Sequence, residues 1–87
     1  MHYRNGRIAA NGDKIVQLDD TGVVKAAGVL TGAAPGNDYC NGWISPITMQ
    51  GAPSGDAVGA CLCDCLHVED LATLIVAAGL DKRPEGK

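Results

Sequence analysis

Short apolar stretches separated by turn sequences fill the first two-thirds of the chain. Residues 14–18 and 23–30 have the aliphatic, partly alternating composition of strands, and the Asp-Asp-Thr-Gly sequence at 19–22 predicts a tight turn between them. Residues 39–47 and 60–66 predict a third and a fourth strand, the fourth with cysteine at alternate positions. This pattern predicts a small antiparallel sheet.

Glycine-rich segments connect the predicted strands. Residues 31–38 and 50–59 predict loops, because Gly, Pro and Asn are concentrated there. Gly28, inside the second predicted strand, indicates a bulge or a bend. Three Asn-Gly pairs are typical of tight turns, since both residues tolerate positive φ.

A single helix is predicted at residues 67–78. Glu69 and Asp70 fall in its first turn, where acidic side chains interact favourably with the positive end of the helix dipole. Gly79 suits the position just after the helix, where a left-handed backbone ends it. Pro84 follows and prevents the helix from resuming, so we expect residues 81–87 to form a flexible tail.

The predicted helix is apolar on more than one side. One stripe at helical spacing comprises Val68, Leu71, Ala72, Ile75 and Ala78. Leu74, Val76 and Ala77 lie off that stripe and are apolar too, whereas a surface helix normally has a polar face. We expect the second apolar face to pack against another subunit, which predicts a homo-oligomer through residues 67–78. The alternative is that the sheet curls round the helix.

The length of 87 residues allows one domain, which we place at residues 1–80. The predicted fold class is mainly β (α+β), either a small barrel or a curled antiparallel sheet of four or five strands with one C-terminal helix. A chain this short buries a modest core, and proteins of this size often gain stability from a partner subunit or a metal.

Charge and composition exclude several classes of function. The net charge is −3 and the cations are scattered, which argues against nucleic-acid binding. No apolar run approaches the roughly 20 residues of a membrane span. The polar N-terminus lacks the apolar stretch of a signal peptide, so we expect a cytoplasmic protein in a compartment where stable disulfides are uncommon.

Three cysteines and a histidine alternate with other residues in the sequence Cys61-Leu-Cys63-Asp-Cys65-Leu-His67. Thiol and imidazole groups are good zinc ligands, so a structural zinc site formed by these four residues is one interpretation. Alternate residues of a strand lie roughly 6.5–7 Å apart, however, which is too far for ligands of one zinc ion. The favoured interpretation is that the cysteines act as small core residues, with no metal or other cofactor.

The sequence carries no catalytic signature. It has no nucleophile elbow, no Walker motif and no dinucleotide fingerprint. A cysteine nucleophile would need a neighbouring base, and no Cys-His-Asp or Cys-His-Asn set is specified. We therefore expect a non-catalytic binding module rather than an enzyme.

Two of the three aromatic residues fall in one polar segment, residues 35–43. Aromatic rings stack on flat ligands and amide side chains bind polar edges, so this segment is the first candidate for a ligand site. The alternative is a turn whose polar side chains bind the local backbone, with the tryptophan covering the core. The candidate residues are Asn37, Asp38, Tyr39, Asn41 and Trp43.

Residues at the N-terminus and at the helix start complete the candidate site. Tyr3 and Arg4 precede an Asn-Gly turn, and an arginine beside aromatic rings suits a phosphate or a carboxylate. His67 stands at the predicted start of the helix. We therefore expect a small anionic ligand, or a host protein, to contact Tyr3, Arg4 and His67 together with the 35–43 segment.

Several short motifs resemble known groups of proteins. The pattern Tyr3-Arg-Asn-Gly6, Gly12-Asp13-x-Ile15-Val16, Gly22-x-Val24 and Gly28-x-Leu30 resembles small SH3-like or KOW-type barrels. The pattern Pro35-Gly-x-Asp38-x-Cys40-Asn41 and Cys65-Leu66-His67-x-Glu69-Asp70 is similar to small uncharacterised proteins of phages and prophages. The resemblance implies an SH3-like fold and a viral origin, which would place the protein in a host cytoplasm.

Phage proteins of this size often inhibit bacterial defence. The resemblance therefore implies that the protein sequesters a small nucleotide-like signal in a pocket between subunits. One alternative is an inhibitor or adaptor that caps a host protein. A further alternative is a weak nucleic-acid-binding KOW-like domain, although the charge argues against it.

Overall fold

The computed structural model describes residues 1–34, 40–46 and 57–86, which form five strands, one 3₁₀ turn and one helix. In chain order these are β1 (Lys14–Leu18), β2 (Val24–Thr31), β3 (Asn41–Pro46), β4 (Val58–Cys61), the 3₁₀ turn (Leu62–Asp64), β5 (Cys65–His67) and α1 (Val68–Ala77).

The five strands form one antiparallel sheet in the order β4-β3-β2-β1-β5. In a flat sheet of this order β4 and β5 would lie about 19 Å apart. The 3₁₀ turn that joins them spans only about 6 Å, so the sheet curls strongly. Within the described strands no ladder joins β4 to β5. The fold is therefore the curled antiparallel sheet with one C-terminal helix, and not a closed barrel.

The hairpin between β1 and β2 is confirmed. The carboxylate of Asp19 accepts hydrogen bonds from the N–H groups of Thr21 and Val23, which fixes the turn. The register shifts near this turn, because Leu18 pairs with Val24 whereas Gln17 pairs with Ala26, which leaves Lys25 without a partner in this ladder. The bulge therefore lies beside the turn and not at the predicted Gly28.

Gly28 has a different role from the predicted bulge. A Cβ atom at this position would overlap the carbonyl oxygen of Ser45 and the side chain of Ile44 on the neighbouring strand β3. Only glycine allows β2 and β3 to approach so closely here.

The fourth predicted strand, at residues 60–66, is interrupted. Its first part belongs to β4 and its last part to β5, with the 3₁₀ turn between them. The turn breaks the strict alternation, so Leu62 and Cys65 are buried whereas Cys61 and Cys63 are exposed. Of the third predicted strand, β3 covers residues 41–46, and residues 39 and 47 lie outside the described part of the chain.

The core lies on one face of the sheet, where the buried Leu30 pairs with the buried Ile44. It is small and aliphatic, with a single aromatic ring, as expected for a chain that has no phenylalanine. Its buried apolar residues are Tyr3, Ala9, Ile15, Leu30, Ala33, Ile44, Ala60, Leu62 and Cys65.

The helix ends as predicted. Gly79 has a φ of +74°, its N–H donates to the carbonyl of Val76, and the N–H of Leu80 donates to the carbonyl of Ile75. These two hydrogen bonds form the Schellman motif, which satisfies carbonyl groups that the helix itself leaves free.

The apolar surface of α1 is largely uncovered. The helix packs beside β5 and β1, and none of its residues is buried. Leu74 is 58% exposed and Leu80, just after the helix, is 73% exposed. The described part of the sheet therefore does not curl round the helix.

Among the described residues, no helix has both the length and the apolar character needed to cross a membrane.

Candidate functional site

An open groove of about 410 Å³ runs along the outer face of β3 and β4. Four of its lining residues, three glycines and an alanine, have little or no side chain, and one lining residue is aromatic. Its lining residues are Gly32, Asn41, Gly42, Trp43, Gly59, Ala60 and Cys61. We call it the Trp43 groove.

Trp43 dominates this groove. It pairs across the sheet with Thr31 on one side and Gly59 on the other. The indole ring lies against Gly59 and Gly32, where a Cβ atom would come within 3.4 Å and 2.8 Å of ring atoms. The other side of the side chain is open, and Trp43 is 51% exposed. The backbone thus supports an accessible aromatic surface.

Polar groups flank the indole on the same face of the sheet. Asn41 lies two positions before Trp43 and pairs with Cys61 across β4, so both side chains share the face of the indole. The hydroxyl groups of Thr31 and Ser45 are 3.0 Å apart on the other flank. None of the described lining residues is charged.

Of the predicted ligand-binding residues that the structure describes, Asn41 and Trp43 lie in the Trp43 groove. Asn37, Asp38 and Tyr39 lie outside the described residues.

The other three predicted residues, Tyr3, Arg4 and His67, belong to a second cluster beside β5 and the helix start. Tyr3 and His67 are buried there rather than available to a ligand.

Tyr3 is a core residue, 2% exposed. Its hydroxyl donates a 2.7 Å hydrogen bond to Oδ2 of Asp13. Burial raises the pKa of Tyr3, and the hydrogen bond to Asp13 and the charge of that carboxylate raise it further. This tyrosine therefore stays protonated and structural.

His67 caps the helix. Its Nδ1 accepts a 3.0 Å hydrogen bond from the N–H of Glu69, and its Nε2 lies 3.6 Å from Oδ1 of Asp13. Its ring meets that of Tyr3 edge to face, with centroids 6.3 Å apart. With Nδ1 as the acceptor, the proton of the neutral imidazole sits on Nε2 and points towards Asp13.

Asp13 joins these groups, and the sequence did not identify it as important. Burial acts to raise its pKa, but hydrogen bonds from the Tyr3 hydroxyl and the Ala10 N–H, together with His67, outweigh burial and lower the pKa. The arrangement is a satisfied polar contact inside the fold, with no free acid or base facing a groove.

Two arginines bind the N-terminal segment to the 3₁₀ turn and to the start of α1. Arg4 donates a 3.2 Å hydrogen bond to the carbonyl of Cys63 and pairs with Asp64 at 3.5 Å. Arg7 pairs with Glu69 and Asp70, each at 3.1 Å. These contacts join residues about sixty positions apart, so no local sequence pattern could have indicated them.

The four cysteines are free thiols in different surroundings. Cys65 is buried, and burial followed by the charge of Asp64 raises its pKa to about 11. Cys61 and Cys63 are exposed and Cys40 is partly buried. The interpretation of the cysteines as core residues therefore holds for Cys65 and not for Cys61 or Cys63.

The four residues of the alternative zinc site are not brought together. Cys65 and His67 point into the fold, where the Cys65 thiol faces the carbonyl of Cys61 and the imidazole faces Asp13. Within residues 1–34, 40–46 and 57–86, no group of three or more His, Cys, Asp or Glu side chains is arranged to hold a metal ion.

Comparison of the chain with protein-family models, with curated proteins and with solved structures finds no match.

Proposed function

We propose that this protein is a non-catalytic binding module that holds the flat ring of a small nucleotide-like ligand in the Trp43 groove. The observation that carries the proposal is the half-exposed indole of Trp43, supported from beneath by Gly32 and Gly59. An aromatic face stacks on any heterocyclic base with little dependence on its identity.

The surroundings of the indole support a planar ligand. Gly32 and Gly59 have no side chains to cover the ring where they lie against it, and a flat molecule has room to lie on its open side. Asn41 offers an amide donor and acceptor on the same face, suited to the polar edge of a base. Tyr3 is buried, so Trp43 is the aromatic residue of the described chain that is available for stacking.

The anionic part of such a ligand needs a positively charged partner. The described residues that line the groove of one chain include no cation. Arg4, the predicted phosphate ligand, is engaged with Asp64 and the Cys63 carbonyl. The proposed nucleotide-like ligand therefore depends on a cation from a second copy of the chain, in a pocket between subunits.

We propose that α1 forms the contact between copies. Val76 and Leu80 are both more than half exposed, and exposed apolar patches of this kind mark association surfaces. Covering them with the same patch of a second copy buries apolar surface on both sides of a two-fold axis.

Charge complementarity favours a second copy as the partner. The first turn of α1 is acidic, and its Glu69 side chain is 72% exposed while it pairs with Arg7. Beyond the end of the helix, the basic Lys82 and Arg83 stand between Asp81 and Glu85. In an antiparallel pair of helices each acidic start faces the basic end of the other copy. A different protein docked on the helix is the alternative, and association experiments distinguish it.

The biological part of the proposal rests on the resemblance to SH3-like and phage proteins. The proposed SH3-like architecture is consistent with the five antiparallel strands of the curled sheet. We propose a phage-type accessory protein that sequesters a nucleotide signal in the host cytoplasm. Capping of a host protein and weak nucleic-acid binding are the competing functions, and the net charge of −3 disfavours the second.

Isothermal titration of the full chain tests the ligand class. The probes are adenosine monophosphate, guanosine monophosphate and a cyclic dinucleotide, titrated into the wild type, Trp43→Ala and Ile8→Ala. Ile8 is a matched exposed apolar residue on a different segment. We expect Trp43→Ala to lose about 1–3 kcal/mol, about 5- to 150-fold in affinity, and Ile8→Ala to bind as the wild type does.

Two results would overturn the proposal. One is equal affinity of the wild type and Trp43→Ala for a probe that binds. The other is the absence of saturable binding for all three probes, which would remove the nucleotide-like class. Retention of a single-stranded oligonucleotide at low salt, lost at higher salt, would favour the nucleic-acid alternative instead.

A further inference from the structure

Three of the four cysteines meet where β3 begins and β4 ends. Asn41 pairs with Cys61, and the N–H of Leu62 donates a 2.6 Å hydrogen bond to the carbonyl of Cys40. Cys40 therefore lies opposite Leu62, and Cys63 follows directly in the 3₁₀ turn. The backbone places Cys40, Cys61 and Cys63 around one junction.

Their side chains are neighbours as well. The thiol of Cys63 adjoins that of Cys40 and that of Cys61, and contact with Cys40 is the largest cause of a raised pKa at Cys63, followed by repulsion from both neighbours. Cys65 points away from them into the core. The Cys40 thiol also contacts the backbone of His2, at 3.3 Å from its nitrogen, so the N-terminal segment covers one side of the cluster.

We infer that Cys40 and Cys63 form a redox-active thiol pair that a small-molecule disulfide converts to an intramolecular disulfide. The junction between β3 and the 3₁₀ turn brings the two residues together from distant parts of the chain. Cys61 and Cys63 are separated by one residue, and the small ring that a bond between them would close is strained. Cys40 is therefore the partner of Cys63, and Cys61 remains a free thiol at the rim of the Trp43 groove.

The reaction is a thiol–disulfide exchange in two steps. The thiolate of one cysteine of the pair attacks a sulfur of oxidised glutathione, forms a mixed disulfide and releases one glutathione thiolate. The second cysteine loses its proton to solvent, attacks the protein sulfur of the mixed disulfide and releases the second glutathione. The pair gives up two electrons and two protons, and oxidised glutathione becomes two molecules of reduced glutathione.

The disulfide would join the start of β3 to the 3₁₀ turn across a long loop of the chain. A link across such a loop restricts the unfolded chain, so the oxidised protein should have a higher thermal midpoint than the reduced one. Disulfides in reducing compartments are usually transient and redox-sensing, and a pair of one exposed and one partly buried thiol fits that class. The inference stands whether or not the Trp43 groove binds a nucleotide.

The test is oxidation of the full chain, at low protein concentration, with excess oxidised glutathione. Free thiols are then alkylated, and intact mass and peptide mapping locate the link. We expect the loss of two hydrogen atoms, two alkylated cysteines and one linked peptide containing Cys40 and Cys63. Cys40→Ser and Cys63→Ser should lose the link, and Cys61→Ser should keep it.

Peptide mapping locates the disulfide in the wild-type chain itself. The test therefore remains decisive even if one of the variants fails to fold. A link between Cys61 and Cys63, a glutathione adduct that persists without closing, or four alkylated cysteines after oxidation would each overturn the inference. Circular dichroism of each reduced variant separates loss of the partner thiol from loss of the fold.

Discussion

The hydroxyl of Tyr3 donates a 2.7 Å hydrogen bond to Oδ2 of Asp13, the residue just before β1. The same carboxylate oxygen accepts the N–H of Ala10, and its other oxygen faces Nε2 of His67. One carboxylate thus joins the N-terminal segment, the start of the sheet and the start of α1. Stability should be sensitive to this carboxylate and its donors.

Replacing Tyr3 by Phe removes the hydroxyl and keeps the ring in the core. A hydrogen bond to a charged group contributes about 1.5–3 kcal/mol, so we expect Tyr3→Phe to lower the free energy of unfolding by about that amount. Because the pKa of Tyr3 is raised in the fold, its contribution is complete below about pH 10 and is lost as the pH rises further.

Urea unfolding at pH 7 and at alkaline pH checks both parts. The variant should be less stable at pH 7 and should lose less stability above pH 10 than the wild type. The control is Ile8→Ala, a change at an exposed residue. An unchanged urea midpoint for Tyr3→Phe at pH 7 would show that the hydrogen bond adds nothing to stability.

Acid should destabilise the fold through Asp13. Its pKa is lowered in the folded chain from a model-compound value near 3.8, and those of Asp19 and Asp70 are lowered too. A depressed folded pKa means that the stabilisation is present above the unfolded pKa and is lost as the pH falls through the folded value. We therefore expect the free energy of unfolding to fall below about pH 4.

The variant Asp13→Asn separates this residue from the other carboxylates. It should be less stable than the wild type at pH 7 and should lose less stability between pH 5 and pH 2, as measured by urea midpoints across that range. An equally steep acid loss in the variant would assign the effect to Asp19 and Asp70 instead.

The C-terminal end of α1 depends on the left-handed backbone at Gly79, where φ is +74°. For a residue with a Cβ atom, that backbone conformation is less favourable by about 1–2 kcal/mol of free energy. Gly79→Ala should therefore lower the free energy of unfolding by about that amount, and Gly79→Asn should lower it less, since asparagine tolerates this region. Thermal unfolding followed by circular dichroism measures both; equal stability of the alanine variant and the wild type would contradict the prediction.

The features that the sequence predicted well depend on neighbours in the chain. The acidic first turn and Gly79 define the helix, and Asp19 fixes the hairpin turn through its own neighbours. Local chemistry of this kind is visible in a single sequence. The strand at residues 60–66 was predicted from the alternation of its residues alone. The 3₁₀ turn that interrupts this strand connects β4 to β5, which lie at opposite ends of the strand order, and the local sequence does not show that requirement.

The candidate site was only partly predictable for the same reason. Trp43 and Asn41 share a face because they are two residues apart in one strand, which a sequence shows. Gly32 and Gly59 come from other segments, and their place beside the indole depends on the sheet order. Tyr3 and His67 were predicted to contact a ligand because of their residue types. Their shared partner Asp13 could not be identified from the sequence, and its contacts hold both side chains inside the fold.

The exposed surface of α1 leads to the last prediction, on self-association. If the helices of two copies pair antiparallel, Val76→Lys and Leu80→Lys each place a charge in the contact twice, once for each copy. Burial of one such aliphatic side chain contributes about 1.5–3 kcal/mol, so each variant should weaken dimerisation by far more than tenfold. Sedimentation equilibrium over a wide range of concentrations measures the change.

The matched control for these variants is Ile8→Lys, which places the same charge on an exposed apolar residue away from the helix and should leave the association constant unchanged. Salt offers a second test, because screening weakens the attraction between Glu69 and the basic pair Lys82 and Arg83 but leaves the apolar contact. We therefore expect a modest loss of dimer at high salt and a near-complete loss in Val76→Lys. A wild-type chain that stays monomeric at high concentration would leave the helix surface to a different partner protein.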